Sequence, residues 1–415
     1  MKVRKQFMVR TSLLLVIATT VFMYGFESGQ SARGYRHLKL REYNEAIQAF
    51  TMAGNQSGLG LVYLKRRMYN EAEGAFRQAQ DASGLGLVYL QQRKHAQAEE
   101  QFRRVNDYAG LGLALCSRHK YRAALAEMKK QEDFTAAAHA YMGMGQYRRA
   151  IQLFERANDF SGLGLAYLAK GDRKRARTFF EKNRDYSGLG LVALQEGKFK
   201  EARSYFQQEN DMEGIGLLAL NRGHYQLALK TFRETNDKSG MGKVYFKMGD
   251  YAQASACFEE ANDNDALGDL YYSLRDFARA QECFLSSGNK VKALQALWGK
   301  KNLADAETFA RRAIGEDEMV AELKLELGEI YRQQKLFDQA RKEFQEVRAM
   351  EEMEEDALFG LARLEFDQKN YQAALDTYQT LRAKYPDTRY RSDLETSLQS
   401  IQTVVALKSK QRHQL

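Results

Sequence analysis

Small and apolar residues recur along this chain with a fixed period. Ala46, Ala72, Ala98, Ala124, Ala150, Ala176, Ala202, Ala228, Ala254, Ala280 and Ala306 follow one another every 26 residues without a miss. Four residues after an alanine comes Phe50, Phe76, Phe102, Met128, Phe154, Phe180, Phe206, Phe232, Phe258 or Phe284, so alanine and aromatic share one helix face. Twelve residues before it stands Gly34, Gly60, Gly86, Gly112, Gly164, Gly190, Gly216, Gly242 or Gly268, with Ala138 and Leu294 in the two remaining places. Each period predicts a hairpin of two short helices, neither stable alone in water. The first, helix A, is apolar on nearly every side, as in residues 58–64, and must be mostly buried. The second, helix B, carries the alanine and the aromatic.

The boundaries of these helices are also written in the sequence. Asp81, Asp107, Asp133, Asp159, Asp185, Asp211, Asp237 and Asp263, with Asn55 and Asn289 at the same phase, are placed to cap the first backbone N–H groups of helix A. Gly145, Gly171, Gly197, Gly223 and Gly249 fall where a left-handed residue can end it. Of 31 glycines, 21 fall at three phases of the repeat, so glycine here serves packing and capping. A single proline in 415 residues fits a chain that is nearly all helix.

The recurring residues resemble the tetratricopeptide repeat, whose pattern is Leu-Gly-x-x-Tyr in helix A and Ala-x-x-x-Phe-x-x-Ala in helix B. Leu59, Gly60, Tyr63, Ala72, Phe76 and Ala79 match it in full. The family repeat has 34 residues, and Ala306, Ala340 and Ala374 adopt that spacing, with Pro386 where the family places its proline. Residues 27–312 are thus read as eleven shortened repeats, 313–387 as two full-length ones, and 388–415 as a capping helix and polar tail. Leu394, Leu398, Ile401, Val405 and Leu407 form the apolar side of that cap. The resemblance implies an all-α, right-handed solenoid of stacked hairpins that binds other proteins, as peptide segments or helices, along its concave helix A face.

Residues 11–26 carry no charge and follow the basic residues 1–10. They are expected to form a transmembrane signal anchor, with the amino terminus cytoplasmic and the repeats on the periplasmic or other extracytoplasmic side. Sixteen residues span only about 24 Å as a helix, so a cleaved signal peptide and a secreted or soluble, self-assembling product is the alternative. Ser31 and Ala32 offer mediocre cleavage sites.

Catalytic or cofactor chemistry is expected to be absent. The repeated Gly-x-Gly pairs lie inside helices, without the strand and third glycine of a dinucleotide loop. Cys116, near His119, reads as a buried thiol, and Cys257 and Cys283 as unbridged; no metal set is complete. The 63 basic and 54 acidic residues are interspersed, giving a net charge of +9 without a nucleic-acid footprint. The acidic run 351–356 is expected to be a solvated helix entrance. Carried over by phase, the family's contact positions are Leu61, Leu64, Lys65, Leu87, Leu90, Gln91, Leu165, Leu168, Leu191, Leu194, Gln195, Leu217, Leu220 and Asn221. Two readings of these leucines stand at this point: a groove for a partner, or surface buried between tightly curved repeats. His139, Met142 and Met144 mark one irregular repeat, and residues 292–298 another.

Overall fold

The computed structural model describes residues 29–131, 133–315, 320–350, 353–386, 388 and 390–412. Among them are 27 α-helices and no strand, an all-α helical-repeat solenoid. The expected anchor, residues 11–26, lies outside the described residues. No described helix is long and apolar enough to cross a membrane. Two compact units divide the chain: residues up to 169, 173–274 and 286–288 in the first, and 170–172, 275–285 and 289–415 in the second.

In the first unit, helices of about ten residues alternate as A and B. Examples are α3 (Gln56–Lys65), α4 (Tyr69–Gln78) and α5 (Ala82–Gln91). Every predicted cap forms: Asn55 accepts from the Gly58 N–H, Asp81 from Gly84, Asp107 from Gly110, and so on through Asn289. The second carboxylate oxygen of a cap usually takes the hydroxyl of a serine 24 residues earlier. Ser57 donates to Asp81, Ser83 to Asp107 and Ser187 to Asp211, at 2.7 to 2.8 Å. One side chain thus ends its own helix and ties it to the preceding one.

The alanine and aromatic phases explain how the hairpins lock. Each alanine of the series is fully buried. Most of the phenylalanine rings sit between two glycines on successive A helices: Phe76 between Gly60 and Gly84, Phe180 between Gly164 and Gly188, Phe206 between Gly190 and Gly214, whereas Phe154 and Phe258 meet one glycine each, Gly162 and Gly242. A Cβ at Gly60 would lie 2.7 Å from the Phe76 ring and one at Gly84 only 2.2 Å, so the ring fits only where both side chains are missing. Burying such a ring contributes roughly 1.5–3 kcal/mol, which none of these short helices could gain alone. In the repeat of Ala124 a flexible Met128 replaces the ring against Gly112.

The second unit uses longer helices. In it α23 (Val320–Gln333), α24 (Phe337–Arg348), α25 (Glu354–Asp367) and α26 (Tyr371–Lys384) are followed by α27 (Arg391–Arg412). Phe344 again lies between two glycines, Gly328 and Gly360. Leu394, Leu398 and Ile401 of α27 pack with Leu358, Ala362, Tyr378 and Leu381. In the acidic run, residues 354–356 correct the expectation of a solvated entrance, because they are half-buried and engaged. Glu354 accepts from Tyr385 and Lys384, Glu355 from Thr388, and Asp356 from the Tyr390 hydroxyl, which tethers the segment leading into α27.

Candidate protein-docking surface and the seam of the first unit

The helix A positions named from sequence fall into two groups. Leu61, Leu64, Leu87 and Leu90 are almost completely buried, and Leu168 and Leu191 belong to a core that runs from Ala138 to Leu218. Leu165 and Leu194 are half-buried against that core, Leu217 and Leu220 are half-buried against the next, and Gln195 and Asn221 are exposed. Lys65 and Gln91 are half-buried. A partly open apolar strip therefore runs over the consecutive A helices α11 (Phe160–Lys170), α13 (Tyr186–Gln195) and α15 (Met212–Asn221). Cys116, read from sequence as buried, is half-buried at this phase, and the described residues form no disulfide.

His139 occupies the leucine phase in α9 (Phe134–Gly143). Neither ring nitrogen has a hydrogen-bond partner, and the ring meets Phe154 edge-on at 4.9 Å. Burial pushes its pKa down to about 4, so the imidazole is neutral. Among the described residues no group of His, Cys, Asp and Glu converges as a metal site.

A second set of polar residues was not foreseen. The ribbon of the first unit returns upon itself, and residues 170 positions apart touch. Arg41 Nη1 lies 2.8 Å from Asp211, Arg67 Nη2 2.8 Å from Glu213 and 3.8 Å from Asp237, Arg93 Nη2 3.0 Å from Asp263, and His119 Nε2 3.5 Å from Asp265. The Asn262 amide donates to the Gln92 carbonyl, and the Asn236 amide lies at the Arg66 carbonyl. At the next rung Gly288 approaches the Arg118 carbonyl so closely that a Cβ would sit 2.3 Å from it. We call this line of contacts the seam.

Its electrostatics are those of partly desolvated pairs. Burial would lower the pKa of Arg67, but Glu213 and Asp237 outweigh it and hold the guanidinium well above its ordinary value. Burial would raise the Asp263 carboxyl, yet Arg93 and Lys243, with a bond from Ser239, leave it below the usual range. Lys65 faces the same charges. Burial, with Arg41 beside it, brings its ammonium down to about 8 despite Glu213.

The seam residues stand at recurring phases of the repeat. The left-handed residue ending helix A is glycine at 145, 171, 197, 223 and 249, while Arg41, Arg67, Arg93 and His119 hold positive φ there at 57 to 60°, as Arg275 and Lys301 do beyond the seam. Glu213 and Asp265 likewise stand two residues after a cap, where Ser57, Ser83, Ser161, Ser187 and Ser239 occur elsewhere.

No curated protein matches this chain. Three solved structures are similar in fold: yeast Tom70 (14% identity, 92% of this chain and 96% of that one, TM-score 0.44), the P58(IPK) TPR domain (16%, 77% and 99%, 0.24) and the APC/C hetero-tetramer Cut9–Hcn1 (12%, 93% and 98%, 0.30). The likeness extends to no residue role. Tetratricopeptide-repeat family models match residues 134–157, 240–266, 291–350 and 325–387, in both units. The chain thus carries tetratricopeptide repeats in these segments, within a ribbon of hairpins built on the same helix A and helix B pattern.

Proposed function

We propose that this chain is a membrane-anchored scaffold whose helix A surface docks peptide segments or helices of other proteins on the periplasmic, extracytoplasmic side. The observation that carries this reading is the half-buried strip Leu165, Leu194, Leu217 and Leu220, an apolar line on successive A helices of a tetratricopeptide-type fold. Such a line suits an apolar helix or extended segment, with Gln195 and Asn221 as the polar rim. Residues 11–26 supply the anchor in this reading and hold the repeats close to the membrane.

A photo-crosslinking residue at Leu217, used in intact cells, is expected to capture a discrete protein, and Leu194→Glu with Leu220→Glu to abolish that capture. A strip that crosslinks to nothing above background overturns the docking reading. Alkaline extraction tests the anchor separately. A chain released in soluble form, beginning near residue 32, would make the segment a cleaved signal.

A further inference from the structure

The seam and the joints between repeats are made of different materials. Neighbouring repeats are held chiefly by buried rings and alanines, with serine-to-aspartate bonds beside them, whereas the contacts identified across the seam are mainly ion pairs and amide-to-carbonyl contacts. Salt acts on the two unequally. Raising ionic strength from 0.15 M to 1 M shortens the Debye length from about 8 to about 3 Å and leaves apolar burial in place, but pairs as close and half-buried as these are screened only in part, so removing the charges is the stronger perturbation. In a solenoid each repeat depends chiefly on its nearest neighbours, so distant contacts can part while the ribbon stays folded. The seam also borders the helix A leucines. Leu64 and Leu90 stand three residues before Arg67 and Arg93 and are 2% and 3% exposed. Leu194 and Leu220, three residues before Gly197 and Gly223, are half-buried. Leu168 precedes Gly171 and is buried by the core itself.

We propose that the seam is an ionic latch: while Arg41, Arg67, Arg93 and His119 hold their carboxylates, the first unit stays coiled over Leu61, Leu64, Leu87 and Leu90, and release uncoils it and uncovers them. That the uncovered leucines then receive a partner rests on the docking function proposed above; the opening does not.

The test uses the full chain with Cys116, Cys257 and Cys283 changed to alanine. Spin labels replace the exposed Asn70, three residues past Arg67, and Lys230, seven before Asp237. In 1 M NaCl the interlabel distance is expected to lengthen by about a helix diameter, ~10 Å, with helicity retained. Arg41→Gln/Arg67→Gln/Arg93→Gln should give the same lengthening at low salt. A control pair at Asn70 and Gln97, in neighbouring repeats, should stay fixed. An unchanged Asn70–Lys230 distance in both conditions overturns the latch. Should the triple variant lose helicity, the double variant Arg67→Gln/Arg93→Gln takes its place. A fixed seam with capture from Leu217 refutes only the latch, and a moving seam without capture refutes only the docking function.

Discussion

Substituting Gly84 by alanine tests the joint on which every repeat depends. On helical propensity alone, glycine to alanine inside α5 should stabilise by about 1 kcal/mol. The packing predicts the opposite. The new Cβ would sit 2.2, 2.4 and 2.6 Å from Phe76 Cδ1, Cε1 and Cγ, against an optimum near 3.5–4.0 Å. The ring is 1% exposed and backed by Gly60, where a Cβ would lie 2.7 Å away, so it cannot swing aside. The two A helices must part by about 1 Å, and overpacking of this kind costs about 1–3 kcal/mol, which cancels the propensity gain and leaves a net loss of up to about 2 kcal/mol. Gly74 in α4 is the control, since a Cβ there meets nothing within 4 Å; Gly74→Ala should gain about 0.4–1 kcal/mol. Urea denaturation followed by circular dichroism reads both. Phe76→Leu combined with Gly84→Ala should cost at least about 0.5 kcal/mol less than the two changes summed, because the smaller side chain yields the space. If Gly84→Ala proves as stable as Gly74→Ala, the locked-ring account is wrong.

Three further outcomes follow from the same geometry. Ala202→Trp places an indole where a fully buried methyl stands and should lower the thermal midpoint through a loss of about 1–3 kcal/mol or more; an unchanged melt contradicts the packing. His139, neutral in the fold with a pKa of about 4 and an unfolded value near 6.5, is protonated first in the unfolded chain. Stability should therefore fall as pH drops from 6.5 to 4, by about 3 kcal/mol from this residue. His139→Leu should remove that part of the slope; His95, also held down at about 4, stays in both proteins, so their difference is the measurement, and equal slopes would refute it. Asp81→Ala loses the bond from the Gly84 N–H at 2.7 Å and from Ser57 at 2.8 Å and should cost about 1–2 kcal/mol, whereas a loss under about 0.3 kcal/mol would mean that the cap carries no weight.

What the sequence discloses here is local and repetitive. Asn55 and the aspartates forecast their caps because capping involves residues three apart. Gly145 and Gly171 forecast left-handed turns because only backbone sterics are involved. The alanine and phenylalanine phases announce a packed face, although only coordinates reveal that rings such as Phe76, Phe180 and Phe206 are enclosed by glycines from two different repeats. The seam was out of reach for a different reason. Whether Arg67 meets Glu213 depends on a small rotation per repeat accumulated over 146 residues, and no local pattern sets that sum closely enough. The leucine phase shares the difficulty: Leu64 and Leu220 are the same residue in the same motif, yet one is buried and the other half-buried.

The capping aspartates have a consequence for how such a chain can grow. Asp211, Asp237 and Asp263 each end their own helix and also supply the counter-charge to a turn one coil earlier. A copied hairpin that has both a capping aspartate and a charged turn, such as Asp81 with Arg93, therefore brings both halves of the longer-range contact with it, whereas one that ends in Gly223 or Gly249 brings only the carboxylate. Below about seven units the ribbon is too short to meet itself, and a duplication adds one joint; beyond that, the same duplication adds a joint and a cross-tie. Gain in cohesion per copied unit thus rises once the first coil is complete, which favours long arrays over short ones without any new sequence invention.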